Sequence, residues 1–392
     1  MKKLRILLAI ENYLPNLNGV AIFTQRLAYS LSERGHRVAV IAPGTKFKDE
    51  EIEEDNQIKI YRMKSIPIKP IHPTFRIVYK ANIEKKIRKI TRDFRPDIIH
   101  IQNHFTLGRA CVNEAKILNI PIIGTNHFMP ENLLEYFPQF IRKKIVSSMW
   151  RDFLKVYNQL DYVTTPSYVA KKILMNLGLK NEISVISNGI CLQKFRKVQV
   201  KDDIYQKFKL NKNLPIFLFV GRLDKDKNID MVLKAVKLAL KKKTFQTVIV
   251  GKGKDVKSLK KLSKALNISD KIIFTGEVND NDLHILLSLA DIYIASGSAE
   301  LQGIAVMEAM ASELPVLALN AVALPELVKN GINGFLFEFD EYDLCEKMIK
   351  ILSLEQKKLS VMSKNSLKII QLHSQEETLN QFETLYERII SK

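Results

Sequence analysis

Two carboxylates eight positions apart, Glu300 and Glu308, lie in the segment Ser298-Ala299-Glu300-Leu301-Gln302-Gly303-Ile304-Ala305-Val306-Met307-Glu308-Ala309-Met310-Ala311. Glu300 falls on a loop before a helical run, and Glu308 falls inside that run among apolar residues. A buried helical carboxylate is costly unless it is hydrogen-bonded. The hydroxyls of a ribose would satisfy Glu308, but so would a backbone cap or a pairing with Arg222, and Glu300 can equally be a loop charge. Upstream, Gly221-Arg222-Leu223 closes an apolar run and Lys225-Asp226-Lys227-Asn228 opens a helical one. Arg222, a planar fork, and Lys227, a point charge, can converge there on one anion at a helix N-terminus, or both can be surface charges. Gly19 stands between a strand-like run and a helix, where a phosphate or sugar could approach the backbone, and a simple tight turn reads equally well. That loop lacks the GxGxxG spacing of a nicotinamide fingerprint. His127 and His104 each end a strand-like run; a lone histidine is more often structural.

The elements that must position these residues follow from hydrophobic periodicity. Short apolar runs alternate with longer amphipathic ones, the pattern of βαβ units and a parallel sheet. The first half has strand-like runs at Arg5–Ile10, Arg37–Ala42, Ile58–Arg62, Asp97–Gln102, Pro121–Thr125, Tyr162–Thr165 and Ser184–Ser187, with helical patterns such as Ala21–Arg34, Ala81–Phe94 and Leu107–Leu118 between them. The pattern restarts at Ile216–Val220 and continues through Thr247–Val250, Lys271–Thr275, Asp291–Ala295, Pro315–Ala318 and Gly334–Phe337. The fold class expected is therefore α/β, with two Rossmann-like doubly wound domains, 1–192 and 193–373, and a C-terminal helix, 374–392, that can pack back on the first domain. Gln193–Pro215 reads as the linker and the acidic run Asp49–Asp55 as a solvated loop.

Composition narrows the function classes. At 392 residues and 46% hydrophobic content the chain can bury two cores. Three scattered cysteines without a CxxC spacing suggest neither a disulfide framework nor a thiolate zinc site, and a reducing compartment fits them. The apolar run after Met1-Lys2-Lys3 is ended by Glu11 and Asn12, too early for a signal peptide. The net charge of +19 is uneven: residues 1–190 hold 30 Lys+Arg against 17 Asp+Glu. Such a surface attracts phosphates, in nucleic acid or in anionic lipid. No aromatic-interleaved motif or recognition helix supports nucleic acid as a partner. Segment Gln139–Leu160 interleaves Arg142, Lys143, Lys144, Arg151 and Lys155 with Trp150, Phe153 and Tyr157. A basic amphipathic helix of this kind suits a membrane interface, and an apolar face packed on the sheet explains it slightly better.

Taken in order, the motifs resemble family 4 of the retaining glycosyltransferases, which has the two-domain GT-B fold with a cleft between the domains. They are Pro15-x-x-x-Gly19-Val20, Arg95-Pro-Asp-Ile-Ile-His100, Asn188-Gly-Ile190, Gly221-Arg-Leu223 with Lys227-Asn228, and Glu300 with Glu308, continued by Ala309-Met310-Ala311, Pro315-Val316 and Pro325-Glu326. The resemblance covers nearly the whole chain. It implies transfer of a hexose from a nucleotide-diphosphate sugar to a hydroxyl acceptor. His127 and Glu300 would be the catalytic residues, and Gly19, Arg222, Lys227, Gln302, Gly303, Ile304 and Glu308 would bind the donor. It implies no cofactor beyond the donor and no metal site. Gln302-Gly303, where many members carry Phe, resembles the diacylglycerol glucosyltransferase branch, so a membrane lipid is the acceptor expected. A soluble sugar acceptor, or epimerase chemistry on the same fold, is the alternative. Arg142, Lys143, Lys144, Trp150, Arg151 and Lys155 would then contact an anionic membrane surface, giving a cytoplasmic protein peripheral to the inner face of the cell membrane. Cys191 in place of a frequent Asp, and Asn320-Ala321-Val322-Ala323 in place of a glycine-rich loop, depart from the family pattern.

Overall fold

The structure is a computed structural model that describes residues 2–15, 18–45, 51–67, 76–131 and 138–391. The chain forms two compact units, Met1–Asn188 with Glu376–Lys392, and Gly189–Gln375.

The first unit contains, in chain order, β1 (Arg5–Ala9), α1 (Gly19–Glu33), β2 (Arg37–Pro43), β3 (Glu51–Asp55), β4 (Ile58–Met63), β5 (Ser65–Pro67), β6 (Arg76–Val78), α2 (Ile83–Phe94), β7 (Ile98–Ile101), α3 (Thr106–Leu118), β8 (Ile122–Thr125), α4 (Arg142–Tyr157), β9 (Tyr162–Thr165), α5 (Tyr168–Asn176) and β10 (Ile183–Val185). Its main sheet has the order β10-β9-β8-β7-β1-β2-β4-β3, parallel throughout except that β3 runs antiparallel to β4. Both faces of this sheet are covered, which is why its strands read as continuous apolar runs. Successive β1 residues alternate between two cores: Leu7 and Ala9 join α2, α3 and α4 on one face, while Ile6 and Leu8 join α1 on the other. In α2, Ile83, Ile87, Ile90 and Phe94 recur at helical spacing and are buried, and the intervening lysines stay outside. The acidic run is corrected here: Glu51–Asp55 is an edge strand, and Asp49 and Glu50 lie outside the described residues.

The second unit contains α6 (Asp203–Lys207), β11 (Ile216–Val220), α7 (Ile229–Ala239), β12 (Gln246–Val250), α8 (Val256–Ala265), β13 (Ile272–Gly276), α9 (Asp280–Leu289), β14 (Ile292–Ala295), α10 (Ile304–Ala311), β15 (Val316–Leu319), α11 (Leu324–Leu327), β16 (Gly334–Phe337), α12 (Glu341–Leu352) and α13 (Gln356–Gln371). Its sheet is parallel throughout, in the order β13-β12-β11-β14-β15-β16. Gln193–Pro215 is part of this unit rather than a free linker. Phe195 and Leu210 are buried in its core, and Gln246 exchanges hydrogen bonds with Asn211. The chain then enters α14 (Gln375–Ile390), whose Leu379, Phe382, Leu385, Tyr386 and Ile389 fill the α1 face of the first unit's sheet. Each such side chain contributes on the order of 1.5–3 kcal/mol when fully buried.

Candidate active site

In open α/β sheets, ligands bind beyond the strand ends where the strand order reverses. In the second unit that point lies between β11 and β14. From β11 the chain enters Gly221–Asn228, which is held against the loop after β12: Leu223 N donates to Lys252 O at 2.9 Å and Lys254 N donates to Asp224 Oδ1 at 2.9 Å. This close approach requires a glycine at 251, where φ is +135° and a Cβ would lie 1.9 Å from Gly221 O. A 3-10 turn over Lys225–Lys227 then meets the end of β14. Asn228 Nδ2 donates to Ser296 O at 2.8 Å, Ser296 Oγ donates to Lys227 O at 2.5 Å, and Ser298 N donates to Asp226 O at 3.0 Å.

These bonds bring together side chains 73 positions apart: Lys227 Nζ donates to Glu300 Oε1 at 2.6 Å and lies 3.1 Å from Asp226 Oδ2. Burial pushes the Lys227 ammonium pKa down, but Glu300 and Asp226 beside it raise it further, leaving it above the ordinary lysine value. Arg222 is half exposed and pairs with Asp224 and, at 3.6 Å, with Asp226. Two cations and three carboxylates therefore occupy one strand-end crevice, with Lys227 held charged among them. Gln302 and Gly303 are buried and lead into α10; Gly303 takes a φ of +84°. Ile304 and Glu308, one turn apart on α10, share a half-buried face, while Val306, Met307, Ala309 and Met310 face the core. The Asn320–Ala323 loop closes this edge: Ala323 N donates to Glu300 O at 3.3 Å, and Val322 adopts a φ of +46°, which is strained for a β-branched residue.

The first unit reverses its strand order between β1 and β7. Gly19 is the exposed first residue of α1, capped by Asn18, whose Oδ1 accepts from Ala21 N at 2.8 Å. Residues 16 and 17 of the Pro15–Val20 loop lie outside the described residues. His127, beyond β8, is half-buried, with Nε2 3.0 Å from Gln102 Oε1 and its ring 5.0 Å from that of Phe23. As this amide is oriented, Nε2 carries the proton and Nδ1 is left as an acceptor. Burial lowers the His127 pKa to about 3, so the ring is a neutral hydrogen-bonding group. His104 is buried among Phe105, Phe128 and Phe153; its pKa is lowered to about 4, mainly by burial.

Several residues here escape a sequence reading. Glu11 is buried at the end of β1, accepts from the Leu107 amide of α3, and has its pKa raised to about 7 by burial. Beside it along the chain, both amide atoms of buried Asn12 lack a partner among the described residues, as do Gln102 Nε2 and His104 Nδ1. Unsatisfied buried amide atoms are rare, and those of Asn12 and Gln102 lie just beyond β1 and β7.

The residues expected to meet a membrane surface divide. Lys143, Lys144, Arg151 and Lys155 are exposed on α4, and Arg142 is half-buried. Trp150 is corrected: it is 4% exposed, packs against Phe128 and Phe153, and donates from Nε1 to Glu131 Oε1 at 3.3 Å. Phe153 and Tyr157 are buried with it, because the apolar stripe of α4 faces the sheet. Phe140, just before the helix, is 86% exposed.

Residues 17–194 match Glycosyltransferase Family 4, and residues 200–369 match Glycosyl transferases group 1. The alpha-monoglucosyldiacylglycerol synthase of Streptococcus pneumoniae is 30% identical over 356 residues, which cover 89% of this chain and 78% of that protein. The chain belongs to glycosyltransferase family 4. Two solved structures share the glycosyltransferase's fold. Sucrose-phosphate synthase from Thermosynechococcus elongatus aligns with a TM-score of 0.81 at 19% identity, covering 99% of both chains. Anabaena HepE in complex with UDP and glucose aligns with a TM-score of 0.76 at 18% identity, covering 98% of this chain and 100% of that one. The two parallel-sheet α/β domains are those of the GT-B fold. Among the described residues of this glycosyltransferase, no helix is long and apolar enough to cross a membrane.

Proposed function

We propose that this glycosyltransferase moves a hexose, with retention at the anomeric carbon, from a nucleotide-diphosphate sugar to a hydroxyl of a membrane lipid such as diacylglycerol. The observation that carries the donor assignment is the Arg222–Asp226–Lys227–Glu300 cluster at the β11/β14 reversal. When the hexose leaves, negative charge develops on the β-phosphate, and stabilising it is the main electrostatic task. Lys227 is already charged and desolvated there; a bound diphosphate would take over its contacts from the carboxylates. Arg222 is free enough to turn its fork toward the same phosphates. Glu300, released from Lys227, then hydrogen-bonds the transferred sugar, and Glu308 the ribose. These two cations do this work without a metal in our proposal.

The acceptor hydroxyl approaches from the face from which the nucleotide diphosphate departs, and the leaving phosphate oxygen takes its proton. Neutral His127 orients a hydroxyl through the hydrogen bonds of its ring. The lipid acceptor and glucose as the hexose rest on the pneumococcal relative, whose name is that of a glucosyldiacylglycerol synthase. UDP as the nucleotide rests on the fold-sharing HepE complex. The exposed α4 cations, with Phe140 beside them, would hold the protein against an anionic membrane surface on the cytoplasmic side.

The test is a panel of nucleotide sugars against diacylglycerol vesicles and soluble glycosides. The proposal expects release of nucleoside diphosphate only when donor and lipid are both present. Turnover with soluble glycosides alone overturns the lipid acceptor, and acceptor-independent isomerisation of the donor overturns transfer.

A further inference from the structure

A polar chain runs through the apolar layer between α14 and the sheet of the first unit. Tyr386 on α14 is fully buried, and its hydroxyl lies 2.8 Å from His100 Nδ1. His100 Nε2 lies 2.7 Å from Thr125 Oγ1, which lies 2.6 Å from Thr164 Oγ1. All four side chains are buried. Burial, with His127 adding to it, lowers the His100 pKa to about 3, so the ring offers one donor and one acceptor and the four groups can pair head to tail with either tautomer. Thr125 ends β8, two residues before His127, and its carbonyl accepts from Tyr157 Oη at 2.8 Å.

A second path leads from the same helix to the same histidine. The Phe382 ring lies 5.4 Å from His100 and 6.1 Å from Phe23, and Phe23 lies 5.0 Å from His127. The helix itself is pinned. Glu383, 2% exposed, accepts from Arg34 and from His36 Nε2 at 2.9 Å, while Leu4 N donates to His36 Nδ1 at 3.1 Å and so fixes that ring's tautomer. The Tyr386–His100 bond by itself adds little net stability, because replacing both partners of a buried hydrogen bond by apolar groups of the same shape can be nearly neutral. What a satisfied buried network adds is a unique, rigid geometry.

We propose that Tyr386 and His100 are positioning residues for transfer: they lock Thr125 and thereby the backbone that presents His127, so the C-terminal helix is a working part of the first unit's site. This rests on the assignment of His127 to the active site. Displacements well below 1 Å in the groups around a reacting centre lower turnover without altering remote binding, and a loss of about tenfold is expected here.

The experiment uses the full chain with Tyr386→Phe, Thr125→Val, Thr125→Ser and the Tyr386→Phe/Thr125→Val double variant. It reads kcat, donor KM and the 15N imidazole spectrum, with the His127 signals assigned by their loss in His127→Gln. Tyr386→Phe is expected to lower kcat about tenfold, leave donor KM within about twofold, and shift the His127 resonances. Thr125→Ser keeps the hydroxyl and is expected to retain wild-type kcat, whereas Thr125→Val loses it. The double variant should be no worse than the worse single one, because both break the same chain. Wild-type kcat and an unmoved His127 spectrum in Tyr386→Phe overturn the proposal, as do equal losses in Thr125→Ser and Thr125→Val. Full activity in His127→Gln removes the underlying assignment and the proposal with it; an inactive His127→Gln beside a fully active Tyr386→Phe removes only the positioning chain.

Discussion

Lowering the pH from 7 to 5 is expected to destabilise the first unit by about 4 kcal/mol. His100, His104 and His127 are held neutral there with pKa values of about 3, 4 and 3, burial being the leading cause each time. In the unfolded chain each returns to about 6.5. Between the two values the unfolded state binds more protons, so the stability these groups confer is complete above about 6.5 and is lost progressively as the pH falls toward 3. At pH 5 the loss is about 2 kcal/mol for each ring, or about 6 kcal/mol for the three. Glu11 works in the opposite direction. Its folded pKa, raised to about 7 by burial, makes the folded state bind its proton first, which returns about 2 kcal/mol over the same interval. The net loss compares with a total of about 5–15 kcal/mol for a typical domain. Trp150, the single tryptophan of the chain, is buried in this unit, so urea unfolding followed by its fluorescence at the two pH values reads this unit. An unchanged or higher midpoint at pH 5 would refute the neutral-histidine picture. Replacing His104 with Phe should recover part of the loss.

Other predictions address the donor and membrane faces. Lys227→Ala removes a charge-assisted contact of about 1.5–3 kcal/mol and should weaken nucleoside-diphosphate binding by about 10- to 100-fold in calorimetry. Glu300→Gln should lower kcat while leaving nucleotide affinity nearly intact; unchanged activity in both variants would remove the donor-site assignment. Gly251→Ala drives a Cβ into Gly221 O, so it should displace the Gly221–Asn228 loop, lower the stability of the second unit by about 2 kcal/mol or more, and weaken donor binding; a wild-type midpoint would show the loop is not so tightly held. Co-sedimentation with vesicles should rise with anionic-lipid fraction, fall with salt, and weaken in Lys143→Ser/Lys144→Ser/Arg151→Ser, each cation contributing on the order of 1 kcal/mol. Indifference to vesicles of every composition would rule out this surface.

What was legible in the sequence was set by periodicity. Apolar runs such as Ile216–Val220 and Gly334–Phe337 coincide with strands because a parallel sheet covered on both faces needs residues apolar throughout. Glu51–Asp55 escaped because an edge strand is charged, as edges that avoid mispairing tend to be. In α4 the spacing revealed an amphipathic helix but not which surface its stripe meets; the sheet takes Trp150, Phe153 and Tyr157, and Lys143, Lys144, Arg151 and Lys155 stay outside. Arg222, Lys227, Glu300 and Glu308 could be named from motif order, yet the ion pair between residues 227 and 300 depends on β11 and β14 being neighbours, which spacing does not encode. Asn12 and Gln102 carried no pattern at all. Their buried amide atoms without partners among the described residues are visible only once the chain is folded.

The most direct test of the central claim is the anomeric configuration of the product. An α-linked nucleotide-diphosphate glucose is incubated with diacylglycerol vesicles and the protein, and the glycolipid is examined by proton NMR. Retaining transfer predicts an α-linked glucosyl lipid formed in step with nucleoside-diphosphate release; a β-linked product would contradict the front-face reaction, and no lipid product with any nucleotide hexose would contradict the transfer itself.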